Sequence, residues 1–269
     1  MRLSYLPHRA LAWLIYRLTL ATKLVLRRVR ANVARYLPDR DGDEQARIVD
    51  RFYNHFGKYF VEELHLRWIS PKRLRAGMKI ANIELLDQLF ADGRKVLVTS
   101  AHVGNLDWFW LTLCERYRDR AMAMVANDME TSWFDRYLHR NRIRFGHRQI
   151  MNTDVAREIM VKRQVPDLLG LVPDLSPEKT QSSETWPFLG DEKPFVRALP
   201  RLADRLGLTV VYADLRRHGY AHYSCQLSVI GTPPYADKAA QVQADYVKMV
   251  ETAVQDQPET WLAWAMVVV

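Results

Sequence analysis

The segment that most constrains the fold is an apolar run that ends at a histidine and is followed at once by a helix signal. It reads Lys95-Val-Leu-Val-Thr-Ser-Ala-His102 and continues as Val-Gly-Asn-Leu-Asp107-Trp-Phe-Trp. The Val- and Leu-rich run predicts a buried strand, and Gly104-Asn105 predicts a turn and a helix cap. Asp107 then falls in the first helical turn. The end of a strand therefore presents an imidazole near a carboxylate.

This pair of side chains has the chemistry of proton transfer. A carboxylate that accepts the proton on one imidazole nitrogen leaves the other nitrogen as a base that can deprotonate a hydroxyl. The alternative is that His102 and Asp107 are structural residues of a strand-to-helix turn. The spacing by itself leaves both interpretations open.

Strand and helix signals alternate along most of the chain. The pattern predicts helices over 30–36, 42–66, 83–90, 131–141, 154–162, 195–206 and 236–254, and strands over 95–100, 121–126, 147–151, 168–172, 208–215 and 222–230. Residues 185–190 form a short apolar segment before the helix at 195. This order predicts an α/β fold with N-terminal helices and a mixed, largely parallel sheet flanked by helices, whose last strands are antiparallel.

The N-terminal 30 residues are expected to form a membrane-associating helix, followed by a single α/β domain over 31–269. Residues 11–26 are apolar but too short and too interrupted by Arg17 and Lys23 to span a membrane, so they suit lying on its surface. No small-residue cleavage site follows, which argues against a removed signal peptide. The alternative is that this helix packs on the domain's own core.

The charge of the chain points to an anionic partner. Lys and Arg total 39 against 31 Asp and Glu, for a formal net charge of +8. The sequence lacks the helix-turn-helix, zinc and aromatic sheet motifs of nucleic-acid binding, so a nucleic acid is not the expected partner. It also lacks a Gly-x-x-x-x-Gly-Lys loop and a Gly-x-Ser-x-Gly elbow, which disfavours a nucleotide hydrolase and a serine hydrolase.

The two cysteines, Cys114 and Cys225, lie in apolar surroundings without the spacing of metal ligands. We therefore expect no metal site. Because disulfides are rare in reducing compartments, this low cysteine content favours a cytosol-facing protein.

Candidate site residues converge on one edge of the predicted sheet. Ligands of α/β sheets gather at the carboxyl ends of the strands, where His102, Asp107 and Asp174 are placed. Between them lies a basic segment, and its residues Arg142 and Arg144 are the ones we expect to bind phosphate, since guanidinium groups bind phosphate in bidentate geometry. The other arginines of this segment are expected to form a solvated helix face.

Here the chain resembles a known family. His102-Val-Gly-Asn-Leu-Asp107 resembles the His-x-x-x-x-Asp/Glu motif of the lysophospholipid acyltransferase superfamily, and its His-x-Gly-Asn form is similar to the bacterial lipid A lauroyl and myristoyl acyltransferases. Segments 30–39, 141–144, 171–177 and 186–207 resemble further parts of that family in the same order. Tyr36-Leu37 and Asp39 depart from its pattern, and the tail from Trp261 lacks the family's usual His-Arg-Arg.

The resemblance implies transfer of a fatty acyl group from acyl carrier protein or coenzyme A to a hydroxyl of a membrane glycolipid, such as a lipid A precursor, without a cofactor. It implies His102 as general base and Asp107 as the residue that orients it. Asn105, Arg142, Arg144 and Asp174 are then substrate-binding candidates. The implied location is the cytoplasmic face of a bacterial inner membrane, with the protein peripheral or singly anchored at the anionic surface.

Other readings of the same residues stay open. The acceptor could instead be a glycerophospholipid, an aminolipid or a mannosylated inositol lipid, because the sequence does not discriminate among them. A different class is a non-catalytic lipid-binding scaffold in which His102 and Asp107 cap a turn.

Overall fold

The computed structural model describes residues 23–126, 133–155, 157–158, 165–177, 181–235 and 238–266. The helices in these ranges are α1 (Lys23–Tyr36), α2 (Gly42–Leu66), α3 (Pro71–Gly77), α4 (Glu84–Ala91), α5 (Leu106–Arg116), α6 (Trp133–Arg142), α7 (Ala198–Leu206) and α8 (Ala239–Asp256). The strands are β1 (Met78–Ile80), β2 (Val96–Thr99), β3 (Met122–Ala126), β4 (Arg148–Met151), β5 (Leu168–Gly170), β6 (Ser183–Phe188), β7 (Asp191–Val196), β8 (Thr209–Gly219) and β9 (His222–Gly231). Short 3-10 turns lie at Asn152–Asp154, Pro258–Thr260 and Leu262–Ala265.

The main sheet has seven strands in the order β1-β9-β8-β2-β5-β3-β4. The five strands from β8 to β4 are parallel to one another, β9 is antiparallel to β8, and β1 is parallel to β9. The predicted α/β fold is therefore confirmed, including the largely parallel sheet and the antiparallel last pair. Strands β6 and β7 form a separate two-stranded hairpin.

Strand β2 lies in the interior of the sheet because its side chains are apolar on both faces. Val96 and Leu97 are completely buried, as expected for a strand covered by helices on each side. Its parallel neighbours are β8 and β5, so Val98 is paired with Val211 on one side and with Gly170 on the other. All three strands end at the same edge of the sheet.

Local capping signals fix where the helices begin and end. The side chains of Asp41, Ser70 and Asn105 accept hydrogen bonds from the first-turn amides of α2, α3 and α5. Gly207, in the left-handed conformation with φ of 62°, ends α7. The predicted break between the first two helices is confirmed, since α1 ends at Tyr36 and α2 begins at Gly42.

The segment before α7 differs from its prediction. A helix was expected from residue 195, whereas residues 191–196 form strand β7, paired with β6, and the helix begins at Ala198. The hairpin turn is held by distant groups: the amide of Leu189 donates to Glu251, and that of Gly190 donates to the carbonyl of Tyr36. No local sequence pattern indicates these contacts, because the partners are distant in the chain. Helix α3 and strand β1 were also not predicted.

Helix α1 packs on the domain. Val29 and Val33 are completely buried, and the side-chain amide of Asn32 donates a hydrogen bond to the carbonyl of Trp264 at 2.8 Å. The predicted membrane-lying segment falls mostly on residues 1–22, which lie outside the described residues, as does most of the predicted helix at 154–162. In the ranges that the structure describes, no helix has the length and apolar character needed to cross a membrane.

Replacement of Gly77 by alanine should destabilise the protein. An added Cβ would lie 2.4 Å from Trp108 Cζ2 and 2.9 Å from the carbonyl oxygen of Ala221, and Trp108 is itself buried and bonded to Leu74. We expect Gly77→Ala to lower the free energy of unfolding by about 1–3 kcal/mol through overpacking. Thermal unfolding followed by circular dichroism measures this.

Gly42→Ala is the matched control for this substitution, because nothing lies within 4 Å of the added Cβ at the start of α2. It should leave the midpoint of unfolding unchanged or slightly raised. Equal midpoints for the two variants would contradict the packing described at Gly77.

Candidate active site

His102 lies just beyond the end of β2, and its hydrogen-bond partner is Asp174, just beyond the end of β5. The backbone amide of His102 donates to Asp174 Oδ2 at 2.8 Å, and the ring Nδ1–H donates to Oδ1. The register explains the meeting: Val98 pairs with Gly170, and each of the two residues lies four positions further along its strand's continuation. Neighbouring parallel strands thus deliver both side chains to one point.

Asp174 is fully buried and held in the ionised form. Trp261 Nε1–H donates to its Oδ2 at 2.8 Å, and the amide of Leu262 donates to the carbonyl of His102 at 2.8 Å. Burial by itself raises the pKa of Asp174, but the charge of His102 and the hydrogen bonds from His102 and Trp261 outweigh it and lower that pKa. With Nδ1 bonded to Asp174, Nε2 of His102 is the nitrogen that can serve as a base.

The predicted contact between Asp107 and the imidazole is wrong. Asp107 instead forms a bidentate pair with Arg142, whose Nε and Nη2 lie 2.5 and 2.9 Å from the two carboxylate oxygens. The first turn of α5 presents Asp107 to the last turn of α6, which carries Arg142. Burial lowers the pKa of Arg142, but the charge and hydrogen bonds of Asp107 outweigh it and raise that pKa, so the guanidinium stays charged.

Two other predicted substrate-binding residues have structural contacts. Asn105 is completely buried, and its Oδ1 accepts a hydrogen bond from the amide of Trp108 at 2.7 Å, which caps α5. The guanidinium of Arg144 donates to the carbonyls of Leu66 and Ile69, just after α2. The structure therefore brings His102, Asp107 and Arg142 to one cavity but not Arg144.

That cavity has a volume of about 450 Å³ and is mainly apolar. His102, Asp107 and Arg142 line it together with aromatic and aliphatic side chains that include Phe109, Trp110 and Met124. Ligand pockets commonly combine apolar walls with a few polar groups that orient the ligand, and this volume is within their usual range. The cavity suits a ligand with a long apolar part and a reactive polar end near His102.

A layer of buried charge lies behind the cavity wall, on α2. Glu62 accepts hydrogen bonds from Arg217, the amide of Ala221 and the hydroxyl of Tyr223. Its neighbour Glu63 is also completely buried. Burial and the negative charge of Asp107 raise the pKa of Glu63 well above its ordinary value, although the positive charge of Arg142 acts in the opposite direction. Glu63 is therefore a neutral carboxylic acid beside the Asp107–Arg142 pair.

A buried lysine lies behind the His102–Asp174 pair. Lys193 of β7 is completely buried, and its ammonium lies 4.1 Å from the centroid of the Phe195 ring. Burial lowers its pKa to about 8, although the charge of Asp174 acts in the opposite direction. Sequence analysis missed this residue because its burial depends on the unpredicted hairpin.

Of the other residues that sequence analysis missed, some have a recognisable signal in the sequence and one does not. Adjacent glutamates at 62 and 63 inside the aromatic stripe of α2 are unusual, and this signal could have marked buried charge. Trp261 lies almost ninety residues from its partner Asp174, and no spacing rule connects the two.

Substitution of Glu63 by glutamine should change how stability depends on pH. In the unfolded chain Glu63 ionises near its ordinary value of 4.5, whereas in the folded protein it stays neutral to much higher pH. The free energy of unfolding therefore falls as pH rises above that value, by at most about 1.4 kcal/mol per pH unit from this group. Glu63→Gln removes this loss, so its stability should increase relative to the native protein between about pH 5 and pH 8.

Urea unfolding at a series of pH values measures the difference in free energy of unfolding. Glu192→Gln, at an exposed position of β7, is the control and should show a constant difference from the native protein. A constant difference for Glu63→Gln as well would contradict a neutral Glu63.

Comparison with known proteins identifies the family of the chain. No curated protein sequence matches the chain. The family model for bacterial lipid A biosynthesis acyltransferases matches residues 1–265, which is nearly the whole chain and includes His102, Asp107, Arg142 and Asp174. The resemblance seen in the sequence is thereby confirmed, and it implies acyl transfer to a lipid acceptor. The chain belongs to the bacterial lipid A biosynthesis acyltransferase family.

Proposed function

We propose that this acyltransferase moves a fatty acyl group from an acyl thioester to a hydroxyl of a membrane glycolipid such as a lipid A precursor, with His102 as general base. The observation that carries the proposal is the bond between His102 Nδ1 and the buried carboxylate of Asp174, beside an apolar cavity that His102 lines. A His–Asp pair of this kind keeps the imidazole in the tautomer whose Nε2 accepts a proton.

The reaction requires no nucleophile from the protein. His102 Nε2 takes the proton of the acceptor hydroxyl, and the oxygen attacks the thioester carbonyl carbon. The C–O bond forms, the tetrahedral intermediate collapses, and the C–S bond breaks. The imidazolium then returns its proton to the departing thiolate, which leaves as the free thiol. Asp174 stabilises the imidazolium between these two steps, which Asp107 was expected to do.

Asp107 and Arg142 have a different task in this proposal. Arg142 lines the cavity, and about a quarter of its side chain is exposed. Two nitrogens of its guanidinium bond Asp107, and the other N–H groups are available to a ligand. These groups suit a phosphate of the donor or the acceptor, as expected from the sequence. Asp107 holds the guanidinium in place, because an anchored fork binds an oxyanion with less loss of rotamer freedom.

The donor, the acceptor and the location follow from the family and the chemistry. Acyl carrier protein and coenzyme A are both acidic, so either is compatible with a net charge of +8. Both are cytoplasmic, and we therefore propose action at the cytoplasmic face of the inner membrane with peripheral attachment. Other acceptors, namely a glycerophospholipid, an aminolipid or a mannosylated inositol lipid, use the same site. The hydrogen bond between His102 and the buried carboxylate of Asp174, beside the cavity, favours an enzyme over a scaffold.

Three substitutions test the assignment of roles. His102→Ala and Asp174→Asn should each lower acyl transfer by about a hundredfold or more, since the first removes the base and the second the carboxylate that orients it. Asp107→Asn leaves the His102–Asp174 bond intact and should lower stability more than turnover, because it leaves a buried guanidinium without its counterion. Turnover is measured with purified protein, and unfolding midpoints control for folding.

Near-normal turnover of folded His102→Ala would exclude general base catalysis by this residue. A loss of turnover in Asp107→Asn that equals the loss in Asp174→Asn would return the orienting role to Asp107.

The substrates are identified by two measurements. Release of free thiol from acyl carrier protein and from coenzyme A thioesters, without an acceptor, should reveal slow hydrolysis of the preferred donor and none by His102→Ala. Mass spectrometry of lipids from a deletion strain should then show a glycolipid that lacks one acyl group. Loss of an acyl group from a glycerophospholipid, an aminolipid or a mannosylated inositol lipid instead would select that acceptor.

A further inference from the structure

Helix α6 has two unlike faces. Asp135, Leu138 and Arg142 line the cavity on one face. Residues 133, 136, 137 and 140 lie on the opposite face, because successive helical residues turn by about 100°. The helix is therefore a wall between the cavity and the outside of the protein.

The outer face of α6 continues onto the end of α2 through direct contacts. The ring of Trp68 lies 6.3 Å from that of Tyr137, and the Tyr137 hydroxyl donates to the carbonyl of Leu64. Arg67 donates to the carbonyl of Arg140 at 3.5 Å. We name this area the Trp–Arg surface; it consists of Arg67, Trp68, Trp133, Arg136, Tyr137 and Arg140.

Two large apolar side chains project from this surface into solvent. Trp68 is 75% exposed and Trp133 is 61% exposed, the two highest values among the large apolar side chains of the described residues. The other exposed apolar side chains of the described residues, Val229 and Met266, are smaller and less exposed. Two exposed indoles near one another indicate a contact surface.

The exposed charges of the described residues around the indoles are basic, and the acidic residues Asp128 and Glu130 that precede Trp133 in the chain lie outside the described residues. Arg67, Arg136 and Arg140 are exposed, and Lys72 and Arg73 follow Trp68 within five residues. The sequence from 64 to 80 contains no Asp or Glu, and neither does that from 136 to 153. The acidic residue of α6, Asp135, is directed to the cavity. The partner of this surface is therefore anionic.

We propose that the Trp–Arg surface docks on an anionic lipid bilayer. Indole rings favour the boundary between headgroups and acyl chains, where the ring is buried and the N–H stays hydrated, and exposed guanidinium groups bind the phosphates beside them. An acidic protein partner would match the same residue types, and the bilayer is favoured because the acceptor implied by the family is a membrane lipid. Docking in this way places the wall of the acyl cavity against the membrane that holds its substrate.

This surface consists of residues other than those of the N-terminal segment that the sequence predicts to lie on a membrane. The contact would orient the domain, since α6 carries Arg142 on its inner face and the two indoles on its outer face. The inference does not depend on His102 chemistry, and its test uses vesicles without substrate.

Tryptophan fluorescence tests the position of the two indoles. The full chain carrying Trp13→Phe, which removes the tryptophan of the N-terminal segment, is compared with the same chain that also carries Trp68→Phe and Trp133→Phe. Aqueous iodide quenches the fluorescence of exposed indoles, and the difference between the two proteins in the quenched fluorescence comes from Trp68 and Trp133. Vesicles of phosphatidylglycerol and phosphatidylethanolamine should abolish this difference. If the difference persists while the protein sediments with the vesicles, the proposal is overturned.

A charge substitution tests the arginines without touching the aromatic packing. Arg136→Gln with Arg140→Gln should weaken sedimentation with these vesicles by about tenfold or more at low salt. Arg201→Gln with Arg205→Gln, an exposed pair with the same spacing on α7, removes equal charge and should have little effect. Vesicles of phosphatidylcholine should bind neither the native protein nor the variants strongly through this surface.

Equal vesicle binding by the two charge variants would overturn the proposal. If the Arg136 and Arg140 variant then used acyl carrier protein less well than the control variant, the surface would belong to an acidic protein partner instead.

Discussion

The bond between the buried carboxylate of Asp174 and the imidazole of His102 is the interaction on which the site depends. It needs three separate parts of the chain: the continuation of β2, the continuation of β5 and the turn that carries Trp261. A carboxylate in an apolar interior stays ionised only when enough donors surround it. Each donor therefore constrains the position of the chain segment that carries it. The fold around the cavity thus has to keep these segments close to one buried carboxylate.

The site contains two side-chain contacts, His102 with Asp174 and Asp107 with Arg142, where the sequence predicted one between His102 and Asp107. His102 and Asp107 are five residues apart, so a local reading joined them. In the folded protein α5 carries Asp107 away from the imidazole and toward Arg142, while β5 supplies the carboxylate for His102. The two ends of the motif thus form two different contacts, one with the buried carboxylate of Asp174 and one with the guanidinium of Arg142.

The sequence predicted those features that depend on local periodicity and capping. The apolar run at β2, the cap at Asn105 and the alternation of strands with helices led to the correct fold class and to the correct edge of the sheet. The order of the strands could not be predicted, because β5 joins β2 only after two other strands have been passed in the chain. The partner of His102 depends on that order, and so does the burial of Lys193 in a hairpin held by Glu251 and Tyr36.

The position of Trp261 has a consequence for synthesis of the protein. The indole that supports Asp174 and the amide of Leu262 that bonds His102 lie more than 150 residues after His102. Helix α1 is synthesised early, but its contacts also depend on this turn. The side chains of Asn32 and Arg28 donate hydrogen bonds to the carbonyls of Trp264 and Ala265. A chain synthesised only as far as residue 260 therefore contains the motif but lacks the residues that bond Asp174 and His102. The site is completed late, when the two ends of the described fold have met.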